Sequence, residues 1–180
     1  LAEPFSLLKT KGAWTQTLWP PHCIQNTPSA NFDPGLGLPQ GLLDKMIAED
    51  KAPDLDYLDL ATGNHFYIIR KGMNSELDSY GIGIENDKRT RTTARSVFEK
   101  IADRFQENLV NKLHINIGGL ASNFCMEFSH NNIVDEIVGM FRISGMKADV
   151  NIIHDISRGI PIPGGRDVPF SLDGAFERMK

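Results

Sequence analysis

The order in which apolar patterns alternate in the second half of the chain constrains the fold most strongly. Apolar residues recur every four positions across residues 93–113, with charged residues opposite them, a pattern typical of an amphipathic helix. A strand-like run at 113–119 follows, and a second helical pattern starts after it at Ser122 or Asn123. A further strand-like run covers 148–155. Strands separated by helices predict right-handed crossovers and a mostly parallel sheet covered on both faces.

The rest of the chain is compatible with the same α/β class. An apolar, β-branched run at 65–70 predicts a further buried strand, and residues 39–49 predict a short helix. Turn-forming residues predict loops at 1–37 and 71–87, and a short helix is predicted near the C-terminus, within "PFSLDGAFERMK". A chain of 180 residues with 41% apolar composition can bury one sizeable core, so we predict a single domain.

Composition excludes several classes of partner. The net charge is −4 and the basic residues form no long tract, which argues against nucleic acid or an anionic membrane as the main partner. The sequence has no apolar run of membrane-spanning length and no signal-peptide pattern. Two cysteines do not make a disulfide framework, so we expect a cytoplasmic protein. Homo-oligomerisation is left open.

The segment "GGLASNFCMEFS" (118–129) places Cys125 where a predicted strand gives way to a predicted helix. Unpaired N–H groups and the helix dipole favour an anionic sulfur at such a position, and they can also stabilise an oxyanion. Lys71 follows the strand at 65–70, which predicts it at the same edge of the sheet. Thiolate, oxyanion donors and a cation together suit acyl transfer. On spacing alone, a small buried apolar residue explains Cys125 slightly better than a nucleophile does.

Three segments, in order, resemble the signature segments of nicotinamidases, members of the cysteine hydrolase superfamily that also holds isochorismatases. They are "TLWPPHCIQNTPSANF", "IIRKGMNSELDSYGIGIEND" and "GGLASNFCMEFS". The "HDISRGI" stretch is similar to the last buried strand of that family and its following turn. The resemblance implies an isochorismatase-like hydrolase domain over residues 1–180. Its fold would be a three-layer sandwich with a mostly parallel, Rossmann-like sheet flanked by helices.

The resemblance also implies a catalytic mechanism. Cys125 would attack the carboxamide carbon and expel ammonia, and water would then hydrolyse the thioester. Lys71 would support the thiolate and the intermediate. The backbone N–H groups of Ala121 and Cys125 would form the oxyanion hole, and the Leu120–Ala121 peptide would be cis.

The same resemblance assigns a substrate pocket and a metal. Trp19 and Phe124 match aromatic positions that line the pyridine pocket, and His22 matches a ligand of a divalent metal ion. Zinc is the favoured ion, with iron and manganese as alternatives. The family also uses a catalytic aspartate on its first strand and an Asp-x-His metal motif, and neither has a match here. Because the chain starts at Leu1, we expect that an N-terminal segment carries them.

The predicted function is hydrolysis of nicotinamide to nicotinate and ammonia, in the salvage of pyridine nucleotides for NAD synthesis. A cysteine hydrolase of another small amide, or of a carbamoyl compound, is an alternative. Isochorismatase activity is disfavoured, because that branch does not use a cysteine nucleophile. A third possibility is a catalytically inactive relative that serves as a binding or scaffold protein.

Overall fold

The structure, a computed structural model, describes residues 23–24, 27–73, 79–84, 92–161 and 172–180. The described strands are β1 (Asp54–Leu58), β2 (His65–Ile69), β3 (Lys112–Ile117) and β4 (Lys147–Ile152). The described α-helices are α1 (Gln40–Ala48), α2 (Ala94–Glu107), α3 (Cys125–Asn132), α4 (Val138–Ile143) and α5 (Leu172–Arg178). A π-helical turn, Ile133–Ile137, joins α3 to α4 without a break, and 3-10 turns cover Pro28–Ala30, Pro34–Leu36 and His154–Ile156.

The described strands form two separate two-stranded sheets. β3 and β4 are parallel, with Ile115 opposite Val150, so the predicted crossover between these strands is confirmed. β2 instead pairs antiparallel with β1, with Tyr57 opposite Phe66. The prediction that the 65–70 strand belongs to a parallel sheet is therefore not met within the described residues. The fold is α/β with one parallel sheet.

The long helical stretch from α3 to α4 packs against the parallel sheet. Its predicted apolar stripe is confirmed, since Ile133, Ile137 and Phe141 are all buried. They form a cluster with Ala102 of α2 and Met146, against which apolar side chains of β3 and β4 pack. Burial of this stripe stabilises the fold on this side of the sheet.

The opposite face of the parallel sheet is polar and exposed. Exposed and half-buried residues alternate along β3 and β4, as the two-residue period of a strand requires. The exposed residues are Lys112, His114, Asn116, Lys147, Asp149 and Asn151. This differs from the prediction of a sheet covered on both faces. Parallel strands that are covered on both faces are apolar almost throughout, whereas these two strands alternate.

The helix predicted at 93–113 is shorter in the structure, because α2 ends at Glu107. Leu109 takes a left-handed conformation with φ of 56°. Its N–H donates to Gln106 O and the Val110 N–H donates to Phe105 O, which is the hydrogen-bond pattern of a Schellman motif. The four-residue apolar repeat in the sequence therefore continues beyond the end of the helix. The last apolar residue of the repeat, Leu113, lies in β3.

No helix in the described part of the chain combines the length and apolar character needed to cross a membrane.

Candidate active site

The structure brings the side chains of Lys71 and Cys125 into contact. Lys71 lies two residues after the end of β2, and Cys125 is the first residue of α3. The Lys71 Nζ lies 3.5 Å from the Cys125 Sγ and also donates a 2.7 Å hydrogen bond to the Ser79 carbonyl oxygen. Cys125 is a free cysteine and is half-buried, so its sulfur is not enclosed by the core. The predicted proximity of these two groups is confirmed.

Arg70 fixes the backbone from which Lys71 projects. Its guanidinium donates to the carbonyl oxygens of Met46, Glu49 and Asp50, which are carbonyls at the C-terminal end of α1. Its own N–H donates to Pro53 O at 3.0 Å. A helix end leaves such carbonyls without intrahelical partners, so one arginine here both satisfies them and anchors the end of β2.

The turn before Cys125 is held against the segment that follows β4. Leu120 forms a parallel bridge with Arg158, and the Ser122 N–H donates to Arg158 O at 2.8 Å. The Ile156 side chain packs against Gly118, so a Cβ at position 118 would require that side chain to move. The Leu120–Ala121 peptide is cis, as the resemblance predicted.

Ser122 and Asn123 do not cap α3, which differs from the prediction. The residue before the helix is Phe124, and its side chain makes no capping bond. Asn123 is fully buried and instead binds the Ile160 backbone from both sides. Its Nδ2 donates to Ile160 O and its Oδ1 accepts from the Ile160 N–H, each at 2.9 Å. This side chain therefore ties the turn to the chain beyond β4.

The N–H groups of Ala121 and Cys125 are not used by other described residues. The neighbouring N–H groups of Phe124 and Met126 both donate to Ala121 O. Within the described chain, no hydrogen bond takes up the N–H of Ala121 or of Cys125. The first N–H groups of a helix have no intrahelical acceptor, which accounts for Cys125, whereas Ala121 lies in the turn before α3. Their oxyanion role stays a prediction.

The predicted substrate and metal residues have different outcomes. Phe124 is only 2% exposed, and its ring packs edge-to-face on Tyr80 at a centroid distance of 5.5 Å. Its role in lining a pocket stays a prediction. Trp19 and His22 lie outside the described residues. Among the residues that are described, no group of three or more histidine, cysteine or acidic side chains is arranged to hold a metal ion.

Two contacts near the site were missed by the sequence reasoning. The Glu127 carboxylate, two residues after Cys125, binds the Arg178 guanidinium of α5. The Asn132 side chain, at the end of α3, binds the backbone of Gly83. The polar residues of α3 give no local signal for either contact, because Ser129, His130 and Asn131 in the same helix are polar as well.

Comparison with known proteins finds two similar nicotinamidases. The chain is 29% identical to a nicotinamidase of Acinetobacter baylyi over 166 residues, which is 91% of this chain and 54% of that protein. It is 26% identical to a nicotinamidase of Escherichia coli over 160 residues, 89% of this chain and 54% of that protein. The chain thus spans about half the length of these curated relatives. No protein-family model matches, and no solved structure matches significantly.

In this α/β fold, the ammonium group of Lys71 and the thiol at the start of α3 are in contact. The two similarities support a nicotinamidase-like protein, although the chain spans only about half of each relative.

Proposed function

We propose that the protein hydrolyses the amide bond of nicotinamide through a thioester on Cys125. The observation that carries the proposal is the 3.5 Å contact between the Lys71 Nζ and the Cys125 Sγ at the start of α3. An ammonium group and a helix start both favour a negative charge on sulfur. The two relatives named nicotinamidase support an amide as the substrate class.

The reaction balances in two steps. The Cys125 sulfur gives up its proton and bonds to the carboxamide carbon, and the carbonyl oxygen becomes an oxyanion facing the N–H groups of Ala121 and Cys125. The C–N bond then breaks, and the nitrogen takes up the proton that the thiol released and leaves as ammonia. Water adds to the thioester carbon, the C–S bond breaks, and the acid and the free thiol are formed.

Lys71 has two tasks in this proposal. Its positive charge stabilises the sulfur anion before attack, and the bond to Ser79 O keeps the ammonium group in place. Because the sulfur becomes neutral in the thioester, the lysine charge then favours the oxyanion that forms next to it. The family's aspartate base has no match in this sequence, so we assign no residue to that role.

The proposal also contains the wider features that the resemblance implies. These are a three-layer, Rossmann-like sheet flanked by helices, a divalent metal ion bound through His22, a role in NAD salvage and a cytoplasmic location. The parallel β3–β4 pair supports the first of them. The described residues alone do not form a metal site, so no catalytic step is derived through the metal.

A catalytically inactive binding protein is the second candidate. The observation in its favour is that, within the described part of the chain, no carboxylate contacts Cys125 or Lys71. A thiol without a base would attack an amide slowly, because the amide nitrogen is a poor leaving group until it is protonated.

Ammonia release from nicotinamide by the full-length protein separates the two candidates. We expect steady release from the wild-type protein and none above background from Cys125→Ala. Cys23→Ala is the matched control, because Cys23 is also free but exposed. Benzamide, which lacks the ring nitrogen, tests the substrate preference. A Cys125→Ala variant with full activity would exclude the thioester mechanism, and a wild-type protein that binds nicotinamide without releasing ammonia would favour the inactive candidate.

A further inference from the structure

We propose that Asn132 is a positioning residue for the catalytic lysine. It lies at the end of the helix that begins with Cys125, and it binds the 79–84 segment, which holds Lys71. This inference rests on the proposed function and adds to it a residue that does not touch the reacting atoms.

The contact between Asn132 and the 79–84 segment is direct and close. The Gly83 N–H donates a 2.9 Å hydrogen bond to the Asn132 Oδ1. A Cβ built on Gly83 would lie 3.1 Å from the Asn132 Cβ, and one built on Gly81 would overlap the Asn132 Oδ1. The two glycines of "GIG" therefore let the backbone approach this side chain more closely than any other residue would.

The other end of the 79–84 segment holds the lysine. The Ser79 carbonyl oxygen accepts the 2.7 Å hydrogen bond from the Lys71 Nζ. Between the two ends, Tyr80 packs edge-to-face on Phe124 and Phe128, at centroid distances of 5.5 and 5.2 Å. Ser79, Tyr80 and Gly81 are all buried. Because the segment is short and packed, a shift at Gly83 is transmitted to the carbonyl of Ser79.

The sulfur and the anchor of the lysine belong to the same helix. Asn132 is seven residues after Cys125, so the two side chains lie on nearly the same face, about 10 Å apart along the axis. A continuous set of contacts therefore links the two catalytic candidates. It runs from Cys125 along α3 to Asn132, and from Asn132 through the 79–84 segment to Lys71, which contacts the Cys125 sulfur. The π-helical turn starts at the next residue, Ile133. Such turns are frequent at functional sites.

The test compares Asn132→Ala with Asn132→Asp in the full-length protein. Alanine removes the acceptor for the Gly83 N–H, whereas aspartate keeps it. We expect kcat for ammonia release to fall by about tenfold to a hundredfold in Asn132→Ala, with KM nearly unchanged, since a small displacement of a charged group acts mainly on the transition state. Asn132→Asp should recover most of the loss. Asn131→Ala is the matched control, because Asn131 is exposed and its side chain contacts only His130 among described residues.

A second readout does not depend on nicotinamide. In a Cys23→Ser background, the rate at which iodoacetamide alkylates Cys125 reports how strongly Lys71 favours the sulfur anion. We expect slower alkylation at neutral pH in Asn132→Ala than in the background protein. Loss of stability alone would not slow alkylation, because unfolding exposes the sulfur.

Gly81→Ala tests the same contact from the opposite side. Its added Cβ would overlap the Asn132 Oδ1, so this variant should lose activity and thiol reactivity as Asn132→Ala does. Because Asn132→Ala makes room for that Cβ, the double variant should be no worse than the poorer single variant. Such non-additivity is expected only for residues in contact.

The outcomes separate this inference from the proposed function. A wild-type protein that releases no ammonia, with alkylation still slowed in Asn132→Ala, refutes the proposed function and retains the positioning role. The positioning role would be overturned if Asn132→Ala had the same kcat and alkylation rate as the wild-type protein. It would also be overturned if Asn131→Ala lost as much activity as Asn132→Ala. Circular dichroism checks that each variant is folded. If Asn132→Ala is unfolded, Asn132→Asp and Gly81→Ala decide the question.

Discussion

Arg178 of the C-terminal helix binds both carboxylate oxygens of Glu127, at 2.5 and 2.8 Å, two residues after the candidate nucleophile. The Glu127 side chain is 9% exposed, and the hydrogen bond with Glu127 raises the pKa of Arg178. Beside this ion pair, Met126 packs on Ala175 and Met179. The first turn of α3 is therefore held by α5, on the side of the helix that does not carry the thiol.

Glu127→Gln is expected to lower the free energy of unfolding by about 1–3 kcal/mol, because it replaces a charged, bidentate contact and leaves Arg178 partly unpaired. The pKa of Arg178 is higher in the folded protein than in the unfolded chain. The ion pair therefore contributes fully to stability at any pH below the unfolded-state pKa, and this contribution is lost only as the pH rises through the folded-state pKa. The effect should thus be complete at neutral pH. Urea denaturation measures it.

Glu177→Gln is the control for this prediction. Glu177 pairs with Lys180 at 2.8 Å, but both side chains are well exposed. Exposed pairs contribute about 0–1 kcal/mol, so this variant should unfold almost as the wild type does. Equal losses in the two variants would show that α5 is not tied to α3 through Glu127.

Lys71→Met tests the charge beside the sulfur. Methionine keeps much of the side-chain volume but removes the ammonium group 3.5 Å from the Cys125 Sγ. A unit charge at this distance is worth about 1–4 kcal/mol, depending on local screening. We therefore expect iodoacetamide to alkylate Cys125 about tenfold more slowly at neutral pH, with Cys23 replaced by serine.

Lys51→Met is the matched control for Lys71→Met, since Lys51 is exposed in the turn after α1. Its alkylation rate should equal that of the Cys23→Ser background. If Lys71→Met reacts just as fast as that background, the lysine does not favour the anion, and the proposed role of Lys71 fails.

The polar face of the parallel sheet predicts a pH effect. The side-chain hydrogen bond from Lys112, 2.7 Å from Asp149, lowers the pKa of Asp149. A lowered pKa stabilises the fold above the unfolded value, about 3.9, and this contribution disappears as the pH falls through the folded value. Lys112→Gln should raise the pKa of Asp149 towards its usual value, as measured by carboxyl NMR titration.

Lys147→Gln provides the comparison for Asp149. Lys147 also lowers the pKa of Asp149, but by charge alone and as the smallest of the contributions. Its removal should shift the titration less than Lys112→Gln does. A larger shift in Lys147→Gln would mean that long-range charge, rather than the hydrogen bond, controls this carboxyl group.

Local patterns predicted the elements whose burial follows one regular period. The strands near 113–119 and 148–155 and the helical stripe through Ile133 and Ile137 fall into this group. β1 was missed although Leu55 and Tyr57 alternate with aspartates, because aspartate is depleted in strands. The two-residue period was present, but the polar residue type concealed it.

The contact between Lys71 and Cys125 was predicted because each lies beyond a predicted strand. The structure brings them together although β2 and β3 lie in separate sheets, so a shared sheet edge is not the cause. Asn132 and Gly83 are 49 positions apart, and their contact depends on how a helix and a loop pack. The spacing of apolar residues along the sequence does not predict a contact of this kind. Trp19 and His22 lie outside the described residues and stay predictions.

α2 and α4 both end in a Schellman motif, but a different residue type takes the left-handed position in each. Leu109 after α2 and Gly145 after α4 are both left-handed, with φ of 56° and 77°. In each case the following N–H reaches back to the carbonyl five residues earlier, Val110 to Phe105 and Met146 to Phe141, both at 2.9 Å. Only glycine takes this conformation without steric cost.

Leu109→Gly is therefore expected to raise the free energy of unfolding by about 0.5–1 kcal/mol. A left-handed leucine costs about 1–2 kcal/mol, and part of the gain is offset by the greater freedom of glycine in the unfolded chain. The Leu109 side chain is 92% exposed, so its removal sacrifices little packing. Urea denaturation at constant pH measures the change.

Gly145→Ala and Gly139→Ala complete this test within one helix and its end. Gly145→Ala should destabilise by about 1 kcal/mol, because alanine is strained at positive φ. Gly139 lies inside α4 with open space around it, so alanine there should stabilise by up to about 1 kcal/mol. The contrary result is that Leu109→Gly destabilises the protein while both alanine variants behave as expected. That result would show that the left-handed conformation does not lower the free energy of unfolding at Leu109. The Leu109 side chain would then have to make a stabilising contact.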